Sequence, residues 1–133
     1  MTASSPPSLP EPPPGERVLD EAALDRLRQL DPEGRNHLLP RVLGTYMASL
    51  AKLLAQLQVA HDAGDMAAVH MAVHTLKSSS SSVGALALSA LCADAESALR
   101  DQRFDALPPL LTQLQAEALQ VDAAVQQLLA QTK

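Results

Sequence analysis

Residues 36–63, NHLLPRVLGTYMASLAKLLAQLQVAHDA, decide the fold. Leu39, Leu43, Tyr46, Leu50, Leu53, Leu57 and Ala60 recur at spacings of 4,3,4,3,4,3. That spacing puts one apolar seam along a single helix. Pro40 lies near the start, where a missing N–H is tolerated. Gly64 ends the helix and Asp65 caps the next one. Leu107, Leu111, Leu114, Ala118, Val121, Val125 and Leu128 repeat the same spacing over a last helix at about 106–131. Asp105 is read as its cap, with Pro108 and Pro109 in its first turn.

Between these two seams the pattern predicts a helix over 66–83 and another over 85–101, divided at Gly84. The second buries Leu88, Leu91, Cys92, Ala95 and Leu99. A short helix over 20–30 precedes the set. Asp20 caps it, Leu19 and Leu24 form a hydrophobic staple, Leu24 and Leu27 face inward, and Asp31-Pro32 stops it. The long helices are joined by very short connections, which make chain neighbours antiparallel. The expected fold is therefore all-α: an antiparallel up-down-up-down four-helix bundle with an additional short N-terminal helix lying over one end. Residues 1–17 hold six prolines between Pro6 and Pro14. They are read as an extended tail, leaving 18–133 as the helical domain.

Composition agrees with this reading and narrows the function. Of 133 residues, 47% are apolar, enough for a core, yet Tyr46 and Phe104 are the only aromatics. Leu and Ala carry the load, and both favour helix. A net charge of −5 argues against a nucleic-acid groove binder, which needs a basic stripe. Cys92, the single cysteine, excludes an intrachain disulfide and a cysteine-based zinc site. No stretch of about 18 apolar residues predicts a membrane span, and the Ser/Pro-rich start is unlike a signal peptide. The expected setting is the cytoplasm. Met1 followed by a Pro-rich stretch favours a small independent protein.

The chemistry concentrates in His74-Thr-Leu-Lys-Ser-Ser-Ser-Ser-Ser-Val-Gly-Ala85. At about 100° per residue, Val69, Ala72, Leu76, Ser80 and Val83 lie opposite His74. Ala67, His70, Lys77, Ser78 and Ser81 flank it. The imidazole should face water with small neighbours and a cation one turn away. Ser79 and Ser80 are placed toward the core, where small side chains let helices approach. Such a histidine suits phosphoryl transfer, because neutral imidazole is a competent nucleophile. That reaction needs in-line access and charge stabilisation more than elaborate covalent machinery.

A nucleotide site is not legible, since there is no phosphate-binding glycine loop and no acidic metal cluster beside His74. His70 and His74 share a face, but two histidines make only half a tetrahedral metal site, and no glutamate follows His70 in the zincin manner. A serine hydrolase would need a strand-turn-helix elbow that the pattern lacks. Cys92 reads as an inert core thiol. The acids of the helices over 20–30 and 85–101 read as solvated faces, and His37 and His61 carry no argument.

His74-Thr-Leu-Lys77, the small-residue run, Val83-Gly84-Ala85, Leu88, Leu91-Cys92 and Glu96 together resemble the histidine-containing phosphotransfer (HPt) domain of two-component phosphorelays. The Leu19-Asp20 start and the Gly64-Asp65 turn are similar too, so the resemblance spans about 18–131. It implies that His74 is the phosphoacceptor and that Lys77 steadies the phosphoryl oxygens. It also implies that Gly84 permits a tight helix junction and that Glu96 orients the imidazole. It further implies a docking face of Ala67, His70, Met71, Lys77, Ser78, Ser81 and Ser82. The partners would be response-regulator receiver domains and a hybrid sensor histidine kinase, meeting a monomeric carrier. The chain itself would need no cofactor, Mg²⁺ residing on the receiver. Ser78 departs from the family, where glycine is common; serine is small enough to keep the approach open. The alternative reading is a four-helix protein-binding module that docks such a partner without transfer.

Overall fold

A computed structural model describes residues 18–131. The elements are α1 (Glu21–Gln29), α2 (Leu38–Asp62), α3 (Met66–Ser82), α4 (Leu86–Arg100), a 3₁₀ turn (Phe104–Ala106) and α5 (Leu107–Gln131). Helices α2 to α5 each pack on their chain neighbours, and α2 meets α5 to close the four-helix bundle. The expected tail over 1–17 lies outside the described residues. Among the described residues no helix is long and apolar enough to cross a membrane.

All seven α2 seam residues are buried, as are Leu107, Leu111, Leu114, Ala118, Val121 and Val125 of α5. Each fully buried leucine, such as Leu43, Leu76 or Leu114, contributes roughly 1.5–3 kcal/mol of transfer free energy. Three expected core leucines, Leu91, Leu99 and Leu128, are only partly covered, and so is Leu27 of α1. Ala98 and Ala124 are buried instead.

The helix ends are built from identifiable bonds. Asp20 and Asp65 cap α1 and α3 by accepting from the amides of Ala23 (3.2 Å) and Ala68 (3.1 Å). Gly64 (φ +72°) closes α2 in the left-handed region, and the amide of Asp65 donates back to the carbonyl of Ala60 at 2.9 Å. The end of α3 repeats the device at Gly84, with Ala85 N–H bonded to Ser80 C=O at 2.8 Å. The end of α4 repeats it with a non-glycine residue, Gln102 (φ +57°), where Arg103 N–H reaches Ala98 C=O at 2.8 Å.

Asp31 does more than stop α1. Its carboxylate accepts from the amides of Asn36 and Leu38, each at 3.1 Å, and so ties down the start of α2 across the loop. Asp105 does not stand ahead of α5 as a cap. It lies inside the 3₁₀ turn, because the chain tightens to three residues per turn before the two prolines.

Helix α1 sits over the end of the bundle where α3 turns into α4. The amide of Asp20 donates to the carbonyl of Gly84 at 2.7 Å. A Cβ on Gly84 would stand 2.9 Å from the Asp20 backbone, so glycine is needed there for space as well as for its φ of +85°.

Candidate functional site

The middle of α3 presents His70, His74 and Lys77 as a stripe spaced i, i+4, i+7, facing α4. The inner side of α3 is fixed by Val69, Ala72, Val73, Leu76 and Ser80, all buried. Burying that side leaves His74 pointing outward, and its side chain is 64% exposed. Ala67, His70, Met71, Ser78, Ser81 and Ser82 are exposed on the same part of the helix. The His70 ring lies one turn away, with centroids 6.3 Å apart, and Met71 is 72% exposed.

From α4, Glu96 meets this stripe. It is the one carboxylate among the described residues that is buried, its side chain 9% exposed. Oε2 lies 2.9 Å from His74 Nδ1 and 3.3 Å from His70 Nε2, and Oε1 pairs with Lys77 Nζ. The Lys77 ammonium is the largest influence on this carboxyl. Burial opposes it and the His74 bond reinforces it, and the pKa is held down to about 2. At neutral pH Glu96 is therefore an anion that can only accept. In neutral His74 the proton then belongs on Nδ1, leaving the Nε2 lone pair for a partner.

One feature here corrects the sequence reading and another extends it. Glu96 is not part of a solvated acidic face, since Lys77 matches its charge and His74 Nδ1 bonds its other oxygen; Asp94, two residues earlier, is exposed as expected. Lys77, expected as a cation one turn from the ring, also has a counter-ion that α4 supplies. A helical projection of α3 alone contains no α4, so neither pairing could be seen in it.

The serine run divides by depth. Ser80 is buried and shares a 2.8 Å hydrogen bond with the Tyr46 hydroxyl of α2. Ser79, placed toward the core by the pattern, is only half-buried and donates to the Leu76 carbonyl at 3.3 Å. Ser82 donates to the Ser78 carbonyl at 3.1 Å. From α4, Ser89 donates to the carbonyl of Lys77 at 3.0 Å, fastening the two helices beside the site. The Tyr46–Ser80 bond was missed, although a phenol inside a leucine seam requires a polar partner, and Ser80 falls on the buried side of α3. Cys92 is buried beneath the site, and burial pushes its thiol up to about 12. Among the described residues no group of three or more His, Cys, Asp or Glu side chains could hold a metal ion.

Comparison with known proteins places this arrangement. The Hpt domain family matches residues 41–131. The fold is similar to that of histidine-containing phosphotransfer protein B (HptB) from Pseudomonas aeruginosa PAO1. That pair has a TM-score of 0.73 and 27% identity over 83% of this chain and 93% of the other. It is also similar to the HPT domain of the Hpt sensor hybrid histidine kinase from Shewanella. There the TM-score is 0.67, with 28% identity over 81% of this chain and 92% of the other. Among curated proteins none matches. The match extends from the second turn of α2 to the end of α5 and takes in the whole His70–His74–Lys77 stripe with its Glu96 partner. The chain thus belongs to the Hpt domain family, the phosphocarrier modules of histidine phosphotransfer in two-component phosphorelays.

Proposed function

We propose that His74 is the residue that carries the phosphoryl group, with Nε2 as the reacting atom. The observation that supports this most directly is the pairing of His74 Nδ1 with Glu96 on an otherwise exposed ring. The Nε2 lone pair attacks the phosphorus of an aspartyl phosphate on a receiver domain. The N–P bond forms as the acyl P–O bond breaks, and the aspartate leaves as a carboxylate. No proton moves, because the Nδ1 proton stays on the ring. The positive charge that develops on the imidazole faces the Glu96 carboxylate. Lys77 exchanges its carboxylate partner for the arriving phosphoryl oxygens. The reverse step returns the group to a second receiver.

On this reading the chain draws its phosphoryl group from an aspartyl phosphate and not from ATP, and the Mg²⁺ of the reaction is held by the receiver. Its partners are response-regulator receivers and a hybrid sensor kinase. They dock on the exposed patch of Ala67, His70, Met71, Ser78, Ser81 and Ser82, and a single copy of the carrier is enough. A contact of this transient kind is expected to bury less than about 1,200 Å².

The test is transfer of labelled phosphate from phosphorylated receivers of the source cell. The expected product is acid-labile, base-stable label on the wild-type chain, none on His74→Gln, and none when ATP is supplied without a kinase and receiver. If label fails to move from any receiver while complexes still form, the chain is a binding module only.

A further inference from the structure

We infer that His70 is a positioning residue for His74, acting through the carboxylate oxygen that the two rings share. The inference rests on the reading of His74 as the phosphoacceptor and adds a residue whose part in the docking patch does not explain its geometry. His70 lies one turn before His74, with ring centroids 6.3 Å apart and planes tilted by 52°. Its Nε2 lies 3.3 Å from Glu96 Oε2, a close polar contact with the same atom that takes the 2.9 Å hydrogen bond of His74 Nδ1.

Neutral imidazole left to itself prefers its proton on Nε2, the tautomer that would block attack from that nitrogen. Glu96 reverses the preference only while its oxygen stays under Nδ1. Its carboxylate ends a flexible side chain from another helix, and Lys77 holds the opposite oxygen. Lys77 alone leaves the carboxylate free to rotate about that contact. The His70 ring nitrogen beside Oε2 adds a second polar contact, on the oxygen that faces His74. This contact matters most during transfer, when Lys77 leaves Glu96 for the phosphoryl group and His70 becomes the remaining partner beside His74.

The geometry also specifies which substitution can replace it. The contact is made by Nε2, which a glutamine amide reproduces in reach and an asparagine amide does not. His70 is exposed, so His70→Ala, His70→Gln and His70→Asn should all fold. The first measurement is the ¹⁵N shift pattern of the His74 ring in the free protein, at a pH about two units above the ordinary histidine range. Wild type and His70→Gln should show the proton on Nδ1. His70→Ala and His70→Asn should shift a substantial share of it to Nε2. The second is the rate of phosphoryl uptake at saturating receiver, expected to fall about three- to tenfold in His70→Ala and to recover in His70→Gln.

An unchanged His74 tautomer in His70→Ala overturns the proposal even if uptake slows, because that result would place His70 in docking alone. The tautomer is read without any partner. A wild-type chain that takes up no phosphate therefore counts against the function of His74 and leaves the measurement on His70 decisive.

Discussion

The backbone amide of Asp20 and the backbone carbonyl of Gly84 are joined at 2.7 Å, which seats α1 directly on the turn between α3 and α4. Gly84→Ala places a methyl 2.9 Å from the Asp20 backbone and 3.1 Å from the Ala23 Cβ, in a residue already at φ +85°. Strain of this kind costs about 1–3 kcal/mol, and the clash adds displacement of α1. Gly64→Ala is the control, since it shares the left-handed φ but has nothing within 4 Å. Urea unfolding should show the larger loss at Gly84. Equal losses would mean that the seat of α1 contributes nothing.

Gln102 occupies the same conformation at the end of α4 without being glycine. An L-residue there carries about 1–2 kcal/mol of steric cost, partly offset in Gln102→Gly by the entropy of the freer unfolded chain. The net expectation is a gain of about 0.5–1 kcal/mol, read as a higher urea midpoint at unchanged slope. A loss would show that the Gln102 side chain contributes contacts greater than the strain.

Leu76 and Ser78 lie two residues apart on opposite sides of α3, one buried and one exposed. Leu76→Ala should lower stability by about 2–5 kcal/mol, as for other large-to-small core changes. Ser78→Phe or Ser81→Phe should leave the circular dichroism and melting curve nearly unchanged while stopping phosphotransfer, because the added ring would stand beside His74. A neutral Leu76→Ala, or a freely transferring Ser78→Phe, would contradict the orientation of the helix.

The Tyr46–Ser80 hydrogen bond ties the phosphoacceptor helix to α2 from inside the core. Burial pushes the phenol up to about 12, against the lowering effect of the Ser80 bond. Tyr46→Phe strands the Ser80 hydroxyl and should cost about 1–2 kcal/mol. The double change with Ser80→Ala should cost less than the sum of the single changes, as a double-mutant cycle would measure. Strict additivity would show that the two hydroxyls do not depend on each other.

Glu96 gives stability a defined acid limit. Its pKa falls from an ordinary 4.5 to about 2 on folding, through Lys77 first and His74 second, against burial. A carboxyl lowered in this way contributes fully above its unfolded value and loses the contribution as pH falls through the folded one. The effect should be complete above about pH 5, decline below about 4.5 and be lost only as pH falls past the folded value of about 2. Because Lys77 is partly exposed and His74 largely so, screening limits it to about 1–2 kcal/mol. Urea unfolding of wild type and Glu96→Gln should differ at pH 7, and the difference should shrink steadily as pH falls from about 4.5 to about 2. A constant difference would remove the ion pair as its cause.

The bundle was legible because its information is local and periodic. The α2 seam from Leu39 to Ala60 can be read one turn at a time, and so can the outward facing of His74. What stayed hidden depends on the neighbouring helix. Asp94 and Glu96 look alike in sequence, yet only Glu96 meets Lys77, and only resemblance pointed to it. Leu99 and Leu128 fall on the expected seams yet are only partly covered, while Ala98 and Ala124 are buried, a difference that seam spacing alone does not carry. Asp105 reads as a cap by residue type, but the 3₁₀ turn before Pro108 and Pro109 takes it out of that position.

Among the described residues His74 stands exposed on the outer face of α3, with Ala67, Ser78 and Ser81 exposed on the same part of the helix. With His74 as carrier, the openness that admits a receiver also admits water. The described helices then offer the cargo little shelter between encounters. How long a signal persists is governed by the intrinsic lability of the P–N linkage and by how often receivers visit, so abundance of partners, more than any conformational change here, sets the relay's memory.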